Sequence, residues 1–135
     1  MPPLNTTLLI ADGDAQSRRQ LRDFFSQFRF AVETASNGLE CLAKLRGIEP
    51  DVLVLALEMP WGGGDGVIAR LHEDVLPAKA PVVLVVGEGP PETLAARVGV
   101  PRCRCYQKPV RMERIMHSVC LGIALAEERR SAEFA

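Results

Sequence analysis

Four charged residues follow segments of strand length in the sequence, at the positions where strands would end. Asp12 and Asp14 follow one such segment, Glu58 follows another, and Lys108 follows a third. Carboxylates at one place could hold a divalent cation, whereas a lysine beside them could neutralise an anion or pair with a carboxylate. The sequence shows no Ser-His or Cys-His arrangement, no phosphate loop and no clustered histidines, so we expect no enzyme activity.

The composition is that of one ordinary globular domain. The chain has 135 residues, of which 47% are hydrophobic and 24% charged. A formal net charge of -1 gives no electrostatic reason to expect nucleic acid as a direct partner. Because no apolar run approaches the roughly 20 residues of a membrane span, we expect no membrane association and a cytoplasmic location.

The cysteines do not show the spacing of a structural metal site. The chain has four cysteines and two histidines, namely Cys41, Cys103, Cys105, Cys120, His72 and His117. No two cysteines form a CxxC pair, which such sites commonly use. We therefore expect reduced, buried or half-buried thiols, with no metal and no cofactor.

Four apolar segments and one polar segment of strand length alternate with five segments whose apolar residues recur at helical spacing, and the polar fifth strand is expected at an edge of the sheet. The predicted strands are Thr7–Ala11, Phe30–Ala35, Asp51–Leu57, Pro81–Val86 and Arg102–Gln107. The predicted helices are Ala15–Phe28, Leu39–Leu45, Gly66–Leu76, Glu92–Val98 and Arg111–Glu128. Phe28, Leu39 and Ala43 belong to the apolar stripes and are expected to face the core.

This alternation predicts an α/β fold. Short connections and right-handed crossovers place the five strands in one parallel, doubly wound sheet with helices on both faces. Ligands of such sheets bind at the carboxyl ends of the strands, where the four charged residues lie. We expect one domain over residues 1–128 and a frayed tail over 129–135.

Four segments carry a resemblance to a known family. They are LLIADGD, ETASNGLECLAKL, PDVLVLALEMP and QKP. In this combination the chain resembles the receiver domain of two-component response regulators along almost its whole length. The resemblance implies the flavodoxin-like (βα)5 fold and phosphorelay signalling, in which an aspartate at the end of the third strand is phosphorylated beside a bound divalent cation. It also implies a cis Lys108–Pro109 peptide.

The chain departs from the family at the positions that carry this chemistry. Ala56 stands at the phosphoacceptor aspartate, and a methyl group has no nucleophilic oxygen. Gly13 replaces the second acid of the cation site, and Val86 replaces the Ser or Thr that hydrogen-bonds the phosphoryl group. Cys105 falls at the switch aromatic, with Tyr106 displaced by one position. The resemblance therefore implies a pseudo-receiver without a catalytic residue.

Three residues of the family's pocket keep their identity, namely Asp12, Lys108 and Pro109. With two acids missing, Lys108 is free to pair with Asp12, and we expect that contact to be structural. Asp14 is expected to cap the first helix and Glu58 to be a solvated loop residue. The alternative is that these acids hold a cation weakly. The degenerate pocket thus comprises Asp12, Gly13, Ala56, Glu58, Val86, Lys108 and Pro109.

Two surfaces are candidates for binding a partner. A loop over Trp61–Gly66 carries the only tryptophan, which could anchor an interface or fold over the vacated pocket as a lid. The second surface, around the fourth helix, fifth strand and last helix, is where receivers commonly dimerise or dock. It comprises Arg97, Arg102, Arg104, Cys105, Tyr106 and Arg111. Its arginines favour an acidic partner, although they could also form an ordinary solvated surface.

The function that these residues favour is phosphorylation-independent signalling through contact with another protein, or through a homodimer of the second surface. One alternative is a sensor of a small ligand or cation that uses the degenerate crevice. Another is that the chain is the receiver part of a larger regulator or hybrid kinase. The sequence names neither the partner nor the pathway.

Overall fold

A computed structural model describes residues 6–73, 81–98 and 104–134. Within these ranges, strands and helices alternate five times. The strands are β1 (Thr6–Ala11), β2 (Phe30–Ala35), β3 (Val52–Ala56), β4 (Val82–Gly87) and β5 (Arg104–Gln107). The helices are α1 (Ala15–Ser26), α2 (Gly38–Ile48), α3 (Gly63–His72), α4 (Pro91–Val98) and α5 (Met112–Phe134).

The five strands form one parallel sheet in the order β2-β1-β3-β4-β5. The predicted α/β fold is therefore confirmed, and the predicted edge position of the fifth strand is also correct. The order reverses between β1 and β3, so the carboxyl ends of these strands border the crevice in which such sheets bind ligands.

The sheet separates two apolar layers. Alternate side chains of the strands face α1 and α5 on one side, where Phe25, Ile115 and Val119 are buried against them. The other face packs against α2, α3 and α4, with Leu45 and Leu94 fully buried. β3 consists of buried residues throughout, as its nearly continuous Val and Leu content predicts for a strand covered on both faces.

Two polar side chains cap the N-termini of helices next to the crevice. Asp14 precedes α1, and its carboxylate accepts hydrogen bonds from the Ser17 backbone N–H at 3.2 Å and the Ser17 hydroxyl at 2.7 Å. Asn37 does the same for α2, accepting from the Glu40 N–H at 2.8 Å. The predicted capping role of Asp14 is confirmed, and it fixes where α1 leaves the end of β1.

The third helix begins earlier than the sequence predicts. It starts at Gly63, so the expectation of a loop over Trp61–Gly66 is wrong for its last four residues, 63–66. A Cβ on Gly64 would lie 2.7 Å from Leu57 Cα and 2.9 Å from the Ala56 carbonyl oxygen. Glycine here lets the first turn of α3 lie directly against the end of β3, which explains why this position is a glycine although glycine is a poor helix former.

Three residues predicted to face the core are exposed, namely Phe28, Leu39 and Ala43. In α2 the buried stripe runs through Cys41 and Leu45 instead. Leu39 and Ala43 lie two positions from that stripe, about 200° around the helix, and therefore face outward. Phe28 lies beyond the end of α1, where helical periodicity no longer sets the direction of a side chain.

Two boundary predictions fall at the ends of the described ranges. α5 continues to Phe134, so the backbone of 129–134, predicted to fray, is helical. The predicted extension of the third helix to Leu76, together with Arg102 and Cys103 of the fifth strand, lies outside the described residues. Across the three described ranges, no helix has the length and hydropathy that a membrane span requires.

Candidate functional site

Asp12 is the buried acid at the end of β1. Its backbone N–H donates to the Ala35 carbonyl at 3.0 Å, and its side chain is only 4% exposed. One carboxylate oxygen accepts from the Asp14 N–H at 2.9 Å, while Arg18 donates to the Asp12 carbonyl oxygen at 2.8 Å. The hydrogen bond from Asp14 orients the carboxylate, and the other two contacts hold the Asp12 backbone at the edge of the crevice.

Lys108 reaches the crevice from the end of β5. Its backbone N–H donates a hydrogen bond to the Gly87 carbonyl oxygen at 2.8 Å. The Lys108–Pro109 peptide is cis, as the resemblance implies. The ammonium nitrogen lies 3.7 Å from Asp12 Oδ2, with the side chain 26% exposed. The predicted Asp12–Lys108 contact is therefore present. It joins the two charged groups that the family's pocket and this chain share.

The centre of the crevice is apolar. Ala56 ends β3 and is 2% exposed, and the sheet register pairs it with Val86, which is buried as well. These side chains provide a methyl and an isopropyl group on the same face of the sheet, next to Asp12 and Lys108. Neither group can attack phosphorus or donate a hydrogen bond to a phosphoryl oxygen.

The position of the second acid, Gly13, is in tight contact with the β3–α3 connection. A Cβ on Gly13 would lie 3.1 Å from Pro60 Cδ and 3.2 Å from the Glu58 carbonyl oxygen. A longer acidic side chain would have to displace the β3–α3 connection or turn away from it. Gly13 is thus part of a close contact between two loops, in addition to lacking a metal ligand.

The other two acids near the crevice have local structural contacts. The hydrogen bond from the Ser17 side chain, followed by that from its backbone, lowers the pKa of Asp14 below the usual value. Glu58 is exposed, and its carboxylate accepts from the Glu88 N–H at 3.4 Å. In the part of the chain that the structure describes, no three His, Cys, Asp or Glu side chains are grouped to hold a metal ion.

A cleft of about 570 Å³ opens between α1 and α5 at this end of the sheet. Its floor consists of buried apolar side chains of β1, β3 and β4, and its rim includes the Asp12–Lys108 pair. Sequence reasoning missed this cleft. The available signal was the small side chain of Ala56 at the centre of the crevice, but the separation of α1 from α5 cannot be read from periodicity.

Trp61 does not cover the crevice. Its side chain is 71% exposed and is absent from the lining of the cleft, which contradicts the lid interpretation. The backbone at Trp61 has a left-handed φ of 58°, and its carbonyl oxygen packs so closely on Gly38 that a Cβ there would overlap it. The loop is therefore fixed at the start of α2, with Trp61 projecting into solvent.

The second predicted surface is only partly formed. Arg104 and Arg111 are exposed and Cys105 is half-buried, whereas the Tyr106 side chain points mostly into the core and reaches this face only in the lining of a groove. The Tyr106 hydroxyl contacts the Ser118 hydroxyl on α5. Register causes this inward direction, because Tyr106 pairs with Val86 and shares its face of the sheet.

Arg97 and Arg114 change the composition of this surface. Arg97 binds the Asp65 carboxylate, with its Nε 3.0 Å from Oδ1, and this hydrogen bond is the main cause that raises the pKa of Arg97. Arg114, which the sequence analysis did not select, lies with its guanidinium 5.5 Å from the Tyr106 ring centroid. A groove of about 510 Å³ runs along this face and includes Arg111 and Arg114 in its lining.

Comparison with known proteins identifies the relatives of this fold. The family model for the response regulator receiver domain matches residues 8–120. A protein-glutamate methylesterase/protein-glutamine glutaminase from Geobacillus kaustophilus is 35% identical over 94 residues, 66% of this chain. The matched part of the chain spans 26% of that protein. It spans 34% of the transcriptional regulatory protein ResD from Bacillus subtilis and 21% of a second methylesterase/glutaminase, from Rhodopseudomonas palustris.

Solved structures share the fold at low sequence identity. The signal receiver domain of a putative Luxo repressor protein from Vibrio parahaemolyticus aligns with a TM-score of 0.82 and 16% identity, covering 96% of this chain and 98% of that one. A CheX–CheY complex with BeF3 and Mg from Borrelia burgdorferi aligns with a TM-score of 0.74 and 21% identity, covering 86% and 87% of the two chains. At these identities the likeness shows the fold alone.

Proposed function

We propose that this chain, which belongs to the response regulator receiver domain family, signals by binding another protein without accepting a phosphoryl group. The observation that carries the proposal is Ala56 at the end of β3, in the centre of the crevice. Phosphoryl transfer to a receiver needs a side-chain oxygen as the nucleophile. A methyl group cannot be made nucleophilic by any rearrangement of its neighbours.

Two further features support the loss of this mechanism. Gly13 supplies no second acid, and because Pro60 and the Glu58 carbonyl lie against it, any side chain there would require these neighbours to shift by a few tenths of an ångström. Val86 offers no hydrogen-bond donor to a bound phosphoryl group. Each feature removes a different chemical requirement, namely cation binding and phosphoryl recognition. Reversal of one substitution would therefore leave the chemistry incomplete.

The Asp12–Lys108 pair has a structural role in this account. A lysine that neutralises an incoming anion needs to be free to meet it, whereas this ammonium lies 3.7 Å from a buried carboxylate. The pair links the end of β1 to the end of β5 across the crevice. Without a phosphoryl group, a change of state would come from a partner or a small ligand with different affinity for two states.

The partner surface that we propose is the groove along α4, β5 and α5. Arg111 and Arg114 border it, and Arg104 is exposed on β5 beside it. This concentration of positive charge on a chain of nearly zero net charge favours an acidic partner. The aligned CheX–CheY complex is an example of a receiver fold in a protein assembly. A homodimer through the same face is the alternative occupant.

Binding measurements with charge-reversed variants test this proposal. A partner captured from native lysate with the wild-type chain should bind the purified protein equally well with and without beryllofluoride and Mg²⁺. Arg111→Glu should weaken this binding at least tenfold, whereas Arg22→Glu, an exposed α1 residue with the same charge change, should leave it unchanged. Binding that requires beryllofluoride would overturn the phosphorylation-independent role.

Trp61→Ala separates the two candidate surfaces. If the groove is the interface, this variant retains full affinity, because Trp61 lies on the connection from β3 to α3. Loss of binding with Trp61→Ala but not with Arg111→Glu would move the interface to the α2–α3 side. Sedimentation of the chain alone distinguishes a homodimer, since self-association would also be lost with Arg111→Glu.

A second candidate is a receiver segment within a larger regulator. The observation that favours it is length, because this chain spans about a quarter of its methylesterase relative. An antibody against the chain, used on native lysate, separates the two. A band at the 14.8 kDa of this sequence supports a stand-alone module, and a substantially larger band supports the segment.

A further inference from the structure

The cleft between α1 and α5 has the size and the composition of a small-molecule site. Its volume of about 570 Å³ falls within the range of roughly 300–1,000 Å³ that ligand pockets occupy. It lies at the carboxyl ends of the strands, next to the point where the strand order reverses. Apolar side chains form its floor and polar groups its rim, which is the usual division in such sites.

The floor is formed by four buried side chains on one face of the sheet, namely Ile10, Val54, Ala56 and Val86. Leu21 of α1 and Ile115 of α5 form the two walls. At 2% exposure the Ala56 methyl group is itself covered, so the apolar surface open to a ligand lies on the half-buried Leu21, Val110 and Met112 at the walls. An apolar body of a ligand would cover carbon surface here, and that burial would favour binding.

The rim offers both a hydrogen-bond donor and an acceptor. Lys108 Nζ is 3.7 Å from Asp12 Oδ2, which is an ion-pair distance but longer than a hydrogen bond. Within the described residues, the ammonium donates no hydrogen bond. One polar group placed between the two could accept from the ammonium and donate to the carboxylate. Gln20 and Gln107 extend the rim with uncharged amides.

Charge decides which head group fits this rim. Asp12 and Lys108 already balance one another, so an anionic head would meet the carboxylate and a cationic head the ammonium. We propose that the cleft binds an uncharged amphipathic molecule, with an aliphatic or aromatic body on the floor and a hydroxyl or amide head at the pair. Such a ligand would give the module an input besides its protein partner. The proposal does not depend on the protein-binding role.

Three probes with the same body and different heads test the assignment. Titration of the ¹⁵N-labelled wild-type chain with 4-propylphenol should give saturable shifts at Ala56, Val86 and Lys108, with half-saturation at or below about 1 mM for a ligand of this size. 4-Propylbenzoate and 4-propylbenzylamine should bind at least tenfold more weakly. Tighter binding of either charged probe, or phenol shifts scattered over the surface, would overturn the proposal.

A variant that fills the floor gives an independent test. Ala56→Leu should weaken binding of 4-propylphenol at least tenfold, while Leu39→Ala, on the exposed face of α2, should not change it. A folded Ala56→Leu protein with unchanged affinity contradicts the site. If this variant does not fold, the wild-type titration decides alone, because absence of saturable cleft shifts with all three probes rejects the site without any substitution.

Discussion

Replacement of Lys108 by methionine should destabilise the fold through the carboxylate that it leaves behind. Methionine keeps much of the length and apolar stem of lysine, so the change removes mainly the charge. Asp12 is 4% exposed and would keep its hydrogen bond from the Asp14 N–H at 2.9 Å, but it would lose its ammonium partner. Removing one member of a buried pair leaves an uncompensated charge, which is costly.

The magnitude follows from the distance and the exposure of the two groups. At 3.7 Å the Coulomb energy is about 4.5 kcal/mol with an effective dielectric constant near 20, and about 1.1 kcal/mol in bulk water. Because Lys108 is 26% exposed, solvent screens part of this attraction. We expect Lys108→Met to lower the free energy of unfolding by about 2 kcal/mol, within these bounds.

Urea denaturation near neutral pH, followed by circular dichroism, measures this loss. In an Asp12→Asn background the same Lys108→Met substitution should cost less than about 0.5 kcal/mol, since no buried charge remains to be stranded. Arg22→Met serves as a control, because its pair with Asp23 is exposed at both ends. Equal losses from Lys108→Met in both backgrounds would refute the structural role of the pair.

Two further predictions concern packing and ionisation on the opposite face of the sheet. Gly38→Ala should lower the free energy of unfolding by about 2 kcal/mol, because the added Cβ would overlap the Trp61 carbonyl oxygen. Gly47→Ala, where the added Cβ meets open space, should raise the free energy of unfolding by up to about 1 kcal/mol. If urea denaturation gives similar effects for the two variants, this packing is contradicted. Burial raises the pKa of the Cys41 thiol from 9.0 to about 12, so its contribution to stability is complete below pH 9 and is lost as pH rises toward 12. Between pH 8 and pH 10 the wild type should lose about 1.4 kcal/mol more than Cys41→Ala in urea denaturation, and parallel losses would count against a protonated, buried thiol.

The fold could be predicted because local and global signals agree. β3 is apolar throughout, and the structure covers it on both faces. Asp14 caps α1 at its predicted start, and Asn37 caps α2, which begins one residue before its predicted start at Leu39. Alternation of strands and helices then leaves few topologies for one parallel sheet. The Asp12–Lys108 contact could also be predicted, because both residues directly follow strands whose carboxyl ends lie at the same edge of the sheet.

Other features depend on arrangements that no local pattern records. The direction of Tyr106 depends on strand register, and a shift of one residue moves a side chain to the opposite face. The contact of Pro60 with Gly13 depends on how two connections pack, and the cleft depends on the spacing of α1 and α5. Periodicity states which side of a helix is apolar but not how far it lies from its neighbour.

The most direct test of the central claim is exposure of the chain to a phosphoryl donor. The purified protein is incubated with acetyl phosphate and Mg²⁺, beside a receiver domain that keeps its phosphoacceptor aspartate, and both are followed by intact-protein mass and ¹H–¹⁵N NMR. Because Ala56 provides no nucleophile, we expect unchanged mass and unchanged spectra for this chain while the control gains one phosphoryl group. A stable adduct on a carboxylate of the crevice, with shifts at Ala56, Val86 and Lys108, would contradict the account.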